Sequence, residues 1–534
     1  MKFTTIATTL AITLSTMAVS AANYPNEETV GVMVKSYADG KFKRMQVSKG
    51  ELEALRSNPE YASVEEDTWI GVKKAPKRTM TLKKSDNSFI QSQSSKNYND
   101  PDYAYQYYFQ TQTDFLGAAD IANAASQSVQ NKKLRIAVLD GGFEDHEDLP
   151  WSYGYNFFDE WGETRGPEFR DLTDEQKECS GGHGLSVGSI IGATANNGIG
   201  MAGVVDADMI ALRVLSCGIG PMSDLADAIK HAAGAEIDGI PSIEPVDIIN
   251  ISIAGDVGGC PSFVQDAIDY ANEQGVMIFV AAGNKNEDIT NYAPASCNGV
   301  YVVGASTRNG FKAEFSNHGE KVDSMMAGVD IIGYSSNGET GWWEGTSQAT
   351  PLTVGIAALG LQHDPSLTRD ELFTLLKQSA SDLRDDVENA DQDCTGNKCG
   401  SGLVNANTFM EHVIASQSGG LYKLEHALAQ STVCDQELIV SSMGNTLPIC
   451  QMYELSLLGL SSGDTYKVVK AEIGQEFDSF SEVLVQGSES KLILDSIELD
   501  SYKYGVRICT TNTCETEAVV ELNTENAQTP AICD

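Results

Sequence analysis

The sequence predicts an α/β fold: a parallel sheet covered by helices on both faces, preceded by a small α+β unit and followed by a β-sandwich. The main observation is that, between residues 99 and 417, short and mainly apolar runs alternate with helical segments such as DLADAIKHAAGAE and PSFVQDAIDYANEQG. The apolar runs are LRIAVLD, MIALRVLS, VDIINISI, GVMIFVAAGN and GVYVVGAS. Strands that are buried on both faces and separated by helices predict a parallel sheet, whose active groups collect at the carboxyl ends of the strands.

Residues 1–21 have the features of a cleaved secretory signal. One lysine precedes an apolar run from Ile6 to Val19, and a small-residue Val-Ser-Ala site ends at Ala21. A membrane anchor is the alternative, but the run is shorter than the roughly 20 residues that a spanning helix needs. We therefore predict an exported protein, extracellular or periplasmic, without a membrane span.

Residues 22–98 predict a small α+β unit and a linker. The segments VGVMVKSY, RMQVS and ASVEEDTWIGV are each predicted as one strand, and the capping box Ser48-x-x-Glu51 begins a short amphipathic helix. The stretch that follows, KKAPKRTMTLKKSDNSFIQSQSSKN, is basic and polar with few core residues. Such a composition is typical of a linker that is open to proteolysis.

The last 117 residues, 418–534, lack the helical pattern and contain seven short candidate strands. These are ELIVSS, YELSLLGL, YKVVKAEI, SEVLVQG, SKLILDSIEL, YKYGVRICT and EAVVELNT. That number predicts a β-sandwich. The segment YKYGVRIC weakly resembles the late tyrosine-containing strand of fibronectin type III and immunoglobulin-like domains.

The net charge of −39 lies outside the N-terminal unit, because residues 23–98 carry 13 Lys and Arg against 10 Asp and Glu. So large an excess of acidic residues argues against nucleic acid as a partner. It favours solubility, and we expect a monomer.

Eleven cysteines, all from Cys179 onward, indicate an oxidising compartment. Two pairs are spaced like small disulfide loops, and no C-x2-C pair supports a zinc site. The predicted disulfides are Cys179–Cys217, Cys260–Cys297, Cys394–Cys399, Cys434–Cys450 and Cys509–Cys514. Cys533 is then left unpaired.

Ser347, in the stretch GWWEGTSQATP, is predicted to be either only a helix cap or a nucleophile that also caps its helix. Serine before an apolar run is a common N-cap, and Pro351 fits a first helical turn. A nucleophile also needs a base, a group that orients the base, and donors to the oxyanion. The candidates are His183 in a Gly-rich turn, Asp140 directly after a buried strand, and Asn284. Each alone has a simpler interpretation: an incidental histidine, a turn aspartate and a turn asparagine.

Five motifs, in this order, resemble the subtilisin-like serine peptidases: LDGGFEDHEDL, GGHGLSVGSIIGA, NISIAG, VAAGN and EGTSQATP. The chain order Asp, His, Asn, Ser is the discriminating feature. The resemblance spans most of residues 99–415 and implies a subtilisin-like parallel sheet, preceded by the family's inhibitory propeptide. It implies that Ser347 is the nucleophile, His183 the general base and Asp140 the group that orients His183. Asn284 and the Ser347 amide would stabilise the oxyanion.

The resemblance also implies that an extended peptide substrate binds as a strand between two edge segments. These correspond to residues 252–255 and 216–220. The residues expected to bind substrate are Ser252, Ile253, Ala254, Gly255, Ala281, Ala282 and Gly283. Ala254 stands where the family usually has glycine in the pocket wall, so the preferred substrate side chain does not follow from the resemblance.

Two further departures lie beside the candidate residues. Leu185-Ser186 replaces the usual Thr-His after the base, and Gln348 replaces the methionine that usually follows the nucleophile. The family often binds structural Ca²⁺, and Asp148 with loop 194–201 matches one such site in outline, although the loop is one residue longer. Asp148 is equally well interpreted as a solvated aspartate of an acidic protein. No cofactor is expected for catalysis.

We predict a secreted serine endopeptidase made as a self-processed precursor, which acts on protein or peptide substrates and is inhibited by its own propeptide. The alternative is a catalytically silent module of the same family that only binds peptides or surfaces. The four filled active-site positions argue against that alternative. An endopeptidase that cuts only at defined basic sites is a third interpretation.

Overall fold

The computed structural model describes residues 29–72, 98–109, 121–383, 390–395 and 398–417, together with seven short C-terminal strands. The predicted signal peptide and the basic stretch 73–97 lie outside the described residues.

The N-terminal unit is a three-stranded antiparallel sheet with one helix. Its strands are β1 Thr29–Ser36, β2 Phe42–Ser48 and β3 Tyr61–Glu66, in the order β2-β1-β3, and its helix is α1 Lys49–Arg56. The predicted capping box is confirmed, because Ser48 accepts from the Glu51 amide while the Glu51 carboxylate accepts from the Ser48 amide at 2.8 Å. Its core consists of Val32, Val34, Val47 and Leu52.

The prediction of ASVEEDTWIGV as a single strand was wrong, because the chain breaks at Asp67 into β3 and a short β4, Trp69–Gly71. The Asp67 carboxylate accepts from the amide of Ser223 at 2.9 Å and from its hydroxyl at 2.6 Å, so it is drawn toward the main domain. Strand β4 then pairs antiparallel with residues 219–221 of the main domain, with Ile70 opposite Gly220.

The main domain has fourteen short strands among its described residues. They are β5 Arg135–Asp140, β6 Trp151–Asn156, β7 Asp208–Arg213, β8 Ile219–Pro221, β9 Ile248–Ile251, β10 Gly255–Asp256, β11 Met277–Ala281, β12 Tyr292–Ala293, β13 Tyr301–Ser306, β14 Ser324–Ala327, β15 Ile331–Tyr334, β16 Thr340–Trp343, β17 Ala380–Ser381 and β18 Leu403–Val404. Nine of them form one sheet in the order β17-β18-β14-β13-β11-β9-β5-β7-β6. All neighbours in it are parallel except β17 and β18. Each predicted apolar run overlaps one of these strands, so the predicted parallel sheet is confirmed.

Helices cover both faces of this sheet. They are α2 Ile121–Gln127, α3 Asp174–Ser180, α4 His183–Gly192, α5 Met222–Ala232, α6 Ser262–Glu273, α7 Thr346–His363, α8 Arg369–Gln378 and α9 Ala406–Gln417. Alternate residues of β5 enter two different cores: Ile136 and Val138 pack with α4 and α7, whereas Ala137 and Leu139 pack with α5 and α6. Both faces of the strand are therefore buried, which explains its continuous apolar sequence. None of the described helices combines the length and apolarity that crossing a membrane requires.

The register of the three central strands fixes the level at which they end. Leu139 of β5 and Val280 of β11 both lie opposite Ile251 of β9. The next residues of the three strands, Asp140, Ala281 and Ser252, therefore lie side by side at the carboxyl edge of the sheet.

Three predicted disulfides are confirmed: Cys179–Cys217, Cys260–Cys297 and Cys394–Cys399. The predicted pairs Cys434–Cys450 and Cys509–Cys514, and the unpaired Cys533, involve residues or side chains outside the described part of the chain.

The C-terminal region contains two antiparallel sheets. The strands are β19 Glu425–Ala427, β20 Met452–Ser456, β21 Thr465–Glu472, β22 Glu482–Gly487, β23 Lys491–Asp495, β24 Tyr502–Cys509 and β25 Ala518–Leu522. They are ordered β19-β20-β23 and β22-β21-β24-β25. Six of the seven predicted strand segments overlap one of these strands; ELIVSS lies outside the described residues, and β19 was not predicted. The β-sandwich and the boundary at residue 418 stay predictions.

Candidate active site

Asp140 and His183 form a buried pair at the carboxyl edge of the sheet. Asp140 is the last residue of β5 and is fully buried. Nδ1 of His183 lies 2.8 Å and 2.9 Å from the two carboxylate oxygens of Asp140. Because an ionised carboxylate can only accept hydrogen bonds, Nδ1 carries the proton and Nε2 is left as the basic nitrogen. This is the tautomer that a general base requires.

A turn of two glycines positions His183 beside Asp140. His183 is the first residue of α4, and the two residues before it, Gly181 and Gly182, have φ values of 67° and 79°. A Cβ on Gly182 would lie 2.5 Å from the amide nitrogen of Ser336, so a larger residue does not fit there. The indole of Trp343 packs edge-on to the imidazole, with ring centroids 6.2 Å apart.

Ser347 is the second residue of α7, whose N-cap is Gly345. The hydroxyl of Ser347 donates to the carbonyl of Ser252 at 2.9 Å, and the hydroxyl of Ser252 donates to the carbonyl of Ser347 at 2.9 Å. Pro351, four residues further on, has no N–H for that carbonyl, so Ser252 supplies the missing donor. Because the N-cap is Gly345 and Pro351 is the sixth residue of α7, the interpretation of Ser347 as a helix cap with Pro351 in the first turn was wrong. Ser347 does lie in the first turn, where backbone amides have no helical acceptor.

The side chain of Asn284 is oriented by its neighbour in α7. Its Oδ1 accepts from both the amide and the hydroxyl of Thr346, each at 2.9 Å. The backbone amide can only donate, so the oxygen of Asn284 must face Thr346 and its NH₂ group must point away. The NH₂ group is thus available to an acceptor in the cleft, where Asn284 and Ser347 both line the wall.

Five of the seven predicted substrate-binding residues line this cleft, which has a cavity volume of about 320 Å³. They are Ser252, Ala254, Gly255, Ala281 and Gly283. The structure does not bring the other two to the cleft wall, because the side chains of Ile253 and Ala282 are buried in the core that packs against α5 and α6. In an extended segment neighbouring side chains point to opposite sides, which explains the separation.

Sequence reasoning missed several residues that line the same cleft. They are Asp256, Lys285, Glu287, Tyr292 and Thr346, whereas Ile219, which also lines the cleft, belongs to the predicted edge segment 216–220. The Tyr292 hydroxyl donates to the Glu287 carboxylate. The pKa of Tyr292 is raised, mainly by burial and secondly by this hydrogen bond. No sequence signal marks the first four of these residues, since they come together only through the pairing of β10 with β12 and the loop after β11. Thr346 lies in the motif EGTSQATP, but only its neighbour Ser347 was singled out there.

The N-terminal unit reaches into the cleft. Gly71 and Val72, at the end of β4, line it beside Ser347. The amide of Val72 donates to the carbonyl of Gly218 at 2.9 Å, which continues the pairing of β4 with β8. A Cβ on Gly255 would lie 2.5 Å from the side chain of Ile70, so β4 passes closely over both predicted edge segments.

The two departures from the family pattern place buried polar atoms beside the site. The hydroxyl of Ser186 and Nε2 of Gln348 are both buried, and neither has a hydrogen-bond partner among the described residues. Gln348 lies in the first turn of α7, next to Ser347, and is 1% exposed.

The interpretation of Asp148 as a solvated aspartate was wrong, whereas its role as a Ca²⁺ ligand stays a prediction. It is fully buried, and its two carboxylate oxygens accept from Nδ2 of Asn197 at 2.6 Å and from the hydroxyl of Tyr334. Burial raises its pKa, and these bonds partly oppose that shift. Among the described residues, no group of three or more His, Cys, Asp or Glu side chains is placed to hold a metal ion. Asp148 thus anchors the loop 194–201 to β15.

Comparison with known proteins identifies relatives that are named as proteases. The Subtilase family model matches residues 131–402. The "Extracellular basic protease" of Dichelobacter nodosus is 30% identical over 426 residues, which is 73% of this chain and 64% of that protein. The "Extracellular protease" of Xanthomonas campestris pv. campestris is 35% identical over 307 residues, which is 52% of this chain and 51% of that protein. The chain thus spans about half to two thirds of the length of these relatives.

A solved structure agrees with these matches in sequence. A protease from Pseudoalteromonas arctica PAMC 21717 is 31% identical and superposes with a TM-score of 0.53, over 60% of this chain and 100% of that one. The match to the family model covers half of the chain, and the predicted sheet with helices on both faces is present. This chain belongs to the subtilase family.

Proposed function

We propose that this protein is a secreted serine endopeptidase, made as a precursor, in which Asp140, His183 and Ser347 form the catalytic triad and Asn284 contributes to the oxyanion hole. The observation that carries the proposal is the buried pair of Asp140 and His183, which leaves a basic nitrogen at the sheet edge where α7 presents Ser347. Secretion is supported by the signal-like residues 1–21 and by the names of the two bacterial relatives.

In the proposed mechanism, the hydroxyl of Ser347 leaves the carbonyl of Ser252, gives its proton to Nε2 of His183 and attacks the scissile carbonyl. The NH₂ group of Asn284 and the amide of Ser347 donate to the resulting oxyanion. His183 then returns the proton to the leaving amine, and an acyl group stays on Ser347. Water, deprotonated by His183, hydrolyses this ester. Asp140 keeps the proton on Nδ1 throughout and stabilises the imidazolium that forms.

The substrate proposed here is an extended peptide that lies between residues 252–255 and β8, as β4 of the N-terminal unit does. This arrangement supports a second part of the proposal, that residues 22–98 act as an inhibitory propeptide. While β4 lies along the cleft, a substrate strand cannot pair with β8. No cofactor is proposed for the reaction, and we propose a monomer.

Contacts away from the cleft also support an inhibitory N-terminal unit. The Glu65 carboxylate accepts from the amide of Ser262 at 2.8 Å, in the first turn of α6. The Asp67 carboxylate accepts from the amide of Ser223, in the first turn of α5, so each carboxylate binds the N-terminal turn of one helix. Arg44 lies between carboxylates of both parts, at 3.0 Å from Asp67 and 2.5 Å from Glu160.

The test is to treat the matured protein with a serine-directed fluorophosphonate and to locate the modified residue by mass spectrometry. We expect labelling at Ser347, and we expect the Ser347→Ala precursor to stay uncleaved and inactive on casein. A matured, folded protein that takes up no label would instead favour the catalytically silent module. Cleavage of a peptide library would separate a general endopeptidase from one restricted to basic sites.

A further inference from the structure

One buried side chain, that of Asn317, holds the loop that carries Asn284. Asn317 lies between β13 and β14 and is fully buried. Its amide donates to the carbonyl of Gly283 at 2.9 Å, and its Nδ2 donates to the carbonyl of Ala282 at 2.9 Å. Its Oδ1 accepts from the amide of Lys285 at 2.9 Å. The same oxygen accepts from the amide of Glu287 at 3.1 Å. The residues that it binds thus lie on both sides of Asn284 in the chain.

The loop approaches Asn317 too closely for any side chain to intervene. Gly283 has a φ of 101°, and a Cβ on it would lie 2.5 Å from Nδ2 of Asn317. This left-handed step reverses the chain directly after β11, so that the side chain of Asn284 points back to Thr346. The conformation of Gly283 and the contacts of Asn317 therefore define the position of Asn284 together.

An asparagine suits this position for a chemical reason. The three side-chain bonds need one donor and an oxygen that accepts twice, on a short, planar group. Aspartate could still accept from the amides of Lys285 and Glu287, but when ionised it cannot donate to the carbonyl of Ala282. A shift of the loop of even 1 Å would move the NH₂ group of Asn284 away from a developing oxyanion, where such misplacement can cost about 10²-fold in rate.

We propose that Asn317 is a positioning residue of the active site: it holds the backbone on both sides of Asn284 so that the Asn284 amide reaches the oxyanion. The inference rests on the function proposed above. Asn317 touches no reacting atom and acts only through Asn284. Its effect on turnover must therefore depend on the presence of the Asn284 side chain.

A double-mutant cycle on the full-length protein tests this dependence. The four proteins are the wild type, Asn317→Asp, Asn284→Ala and the double variant, each in processed form. Fluorophosphonate labelling of a separate sample counts the active sites of each, and kcat and KM are measured on a chromogenic peptide with unlabelled enzyme. We expect Asn284→Ala to lower kcat by about 10²–10³-fold. Asn317→Asp should lower kcat by about 10-fold or more at nearly unchanged KM, and should add almost nothing in the Asn284→Ala background.

Asn156→Asp is the matched control. Asn156 is also buried, donates from Nδ2 to the carbonyls of Phe158 and Thr164, and accepts from the amide of Phe158, so it braces a different loop. Any effect of Asn156→Asp on kcat should be the same factor in both backgrounds. If Asn317→Asp fails to fold, Asn317→Ser, which keeps a small polar group, replaces it in the cycle.

The outcomes separate the two proposals. An equal loss of kcat from the Asn317 variant with and without Asn284 would overturn the positioning role, since it would show a purely structural effect. Unchanged turnover in folded Asn284→Ala would instead remove Asn284 from the oxyanion hole. Absence of labelling at Ser347 would contradict the proposed function itself.

Discussion

Ser252 and Ser347 exchange two hydrogen bonds of 2.9 Å, each hydroxyl donating to the other residue's backbone carbonyl. The bond from Ser252 is needed because Pro351 cannot donate to the Ser347 carbonyl, which would otherwise be a buried acceptor without a partner. The proposed nucleophile is therefore tied to the end of β9 by a contact that a proline in α7 makes necessary.

This relationship predicts the effect of Ser252→Ala. The variant should lose about 1–3 kcal/mol in the free energy of unfolding, the cost of leaving a buried carbonyl unsatisfied. In a Pro351→Ala background the new amide can donate to Ser347, so Ser252→Ala should then cost much less. Urea unfolding, with Ser347→Ala present in all proteins to prevent self-digestion, measures both values. Equal costs with and without Pro351 would contradict the explanation.

Asp140→Asn should lower kcat by about 10⁴-fold, as the same change does in other Ser-His-Asp enzymes, because the amide no longer holds the proton on Nδ1 of His183. Steady-state kinetics measures the loss, with the active sites counted by fluorophosphonate labelling of a separate sample. Glu147→Gln is the matched control: it makes the same chemical change on an exposed residue of the following loop and should leave kcat unchanged. A loss below tenfold in folded Asp140→Asn would argue against the orienting role.

Arg44 should determine how tightly the N-terminal unit binds. Residues 22–96 added to the matured enzyme should inhibit it, and Arg44→Ala should raise the inhibition constant roughly 30-fold or more, because carboxylates on both sides lose their partner. Lys41→Ala removes the same charge from an exposed turn and should have little effect. Inhibition should also weaken as salt is added. Equal inhibition by the Arg44 and Lys41 variants would show that the ion pairs do not contribute.

His231 should make the fold sensitive to acid. Its ring is buried beside Tyr153, Tyr155 and Phe157, and burial lowers its pKa from 6.5 to about 4. Between these pH values the unfolded chain binds a proton that the folded chain does not, so the stability present above pH 6.5 is lost as pH falls toward 4. His231→Phe cannot titrate and should flatten this loss. Urea midpoints of both proteins at several pH values, again with Ser347→Ala, provide the test; parallel curves would refute the assignment to His231.

Gln348 should protect the enzyme from oxidation. It replaces the methionine that usually follows the nucleophile, and a Cβ on Gly345 would lie 2.9 Å from Oε1 of Gln348, which places this side chain at the start of α7. Mild peroxide should leave most activity intact, whereas Gln348→Met should become peroxide-sensitive because a bulky sulfoxide would form beside Ser347. Residual activity after matched exposure, with sulfoxides located by mass spectrometry, measures the difference. Equal losses in the two enzymes would weaken the placement of this side chain beside the catalytic centre.

The sequence by itself determined the sheet and its helices, because a strand buried on both faces must be apolar throughout and a surface helix must be apolar on one side only. The order of the motifs also identified the candidate residues Asp140, His183, Asn284 and Ser347, through their resemblance to the subtilisin-like serine peptidases. Local spacing also predicted the capping box of α1 and the disulfide Cys394–Cys399.

Only the tertiary structure decided how these residues are held. The exchange between Ser252 and Ser347, the orientation of Asn284 by Thr346 and the contacts of Asn317 with residues 282–287 join parts of the chain that are 30 to 95 residues apart. The same is true of Asp67, whose bonds to Ser223 at the start of α5 break a strand that its neighbours predict to be continuous. It is also true of Asp148, which is buried against Asn197 and Tyr334 and is therefore not the solvated aspartate that the sequence allowed. Hydrogen bonds of this kind form only when two segments lie within a few ångström of each other. A local sequence pattern does not predict which distant segments meet in this way.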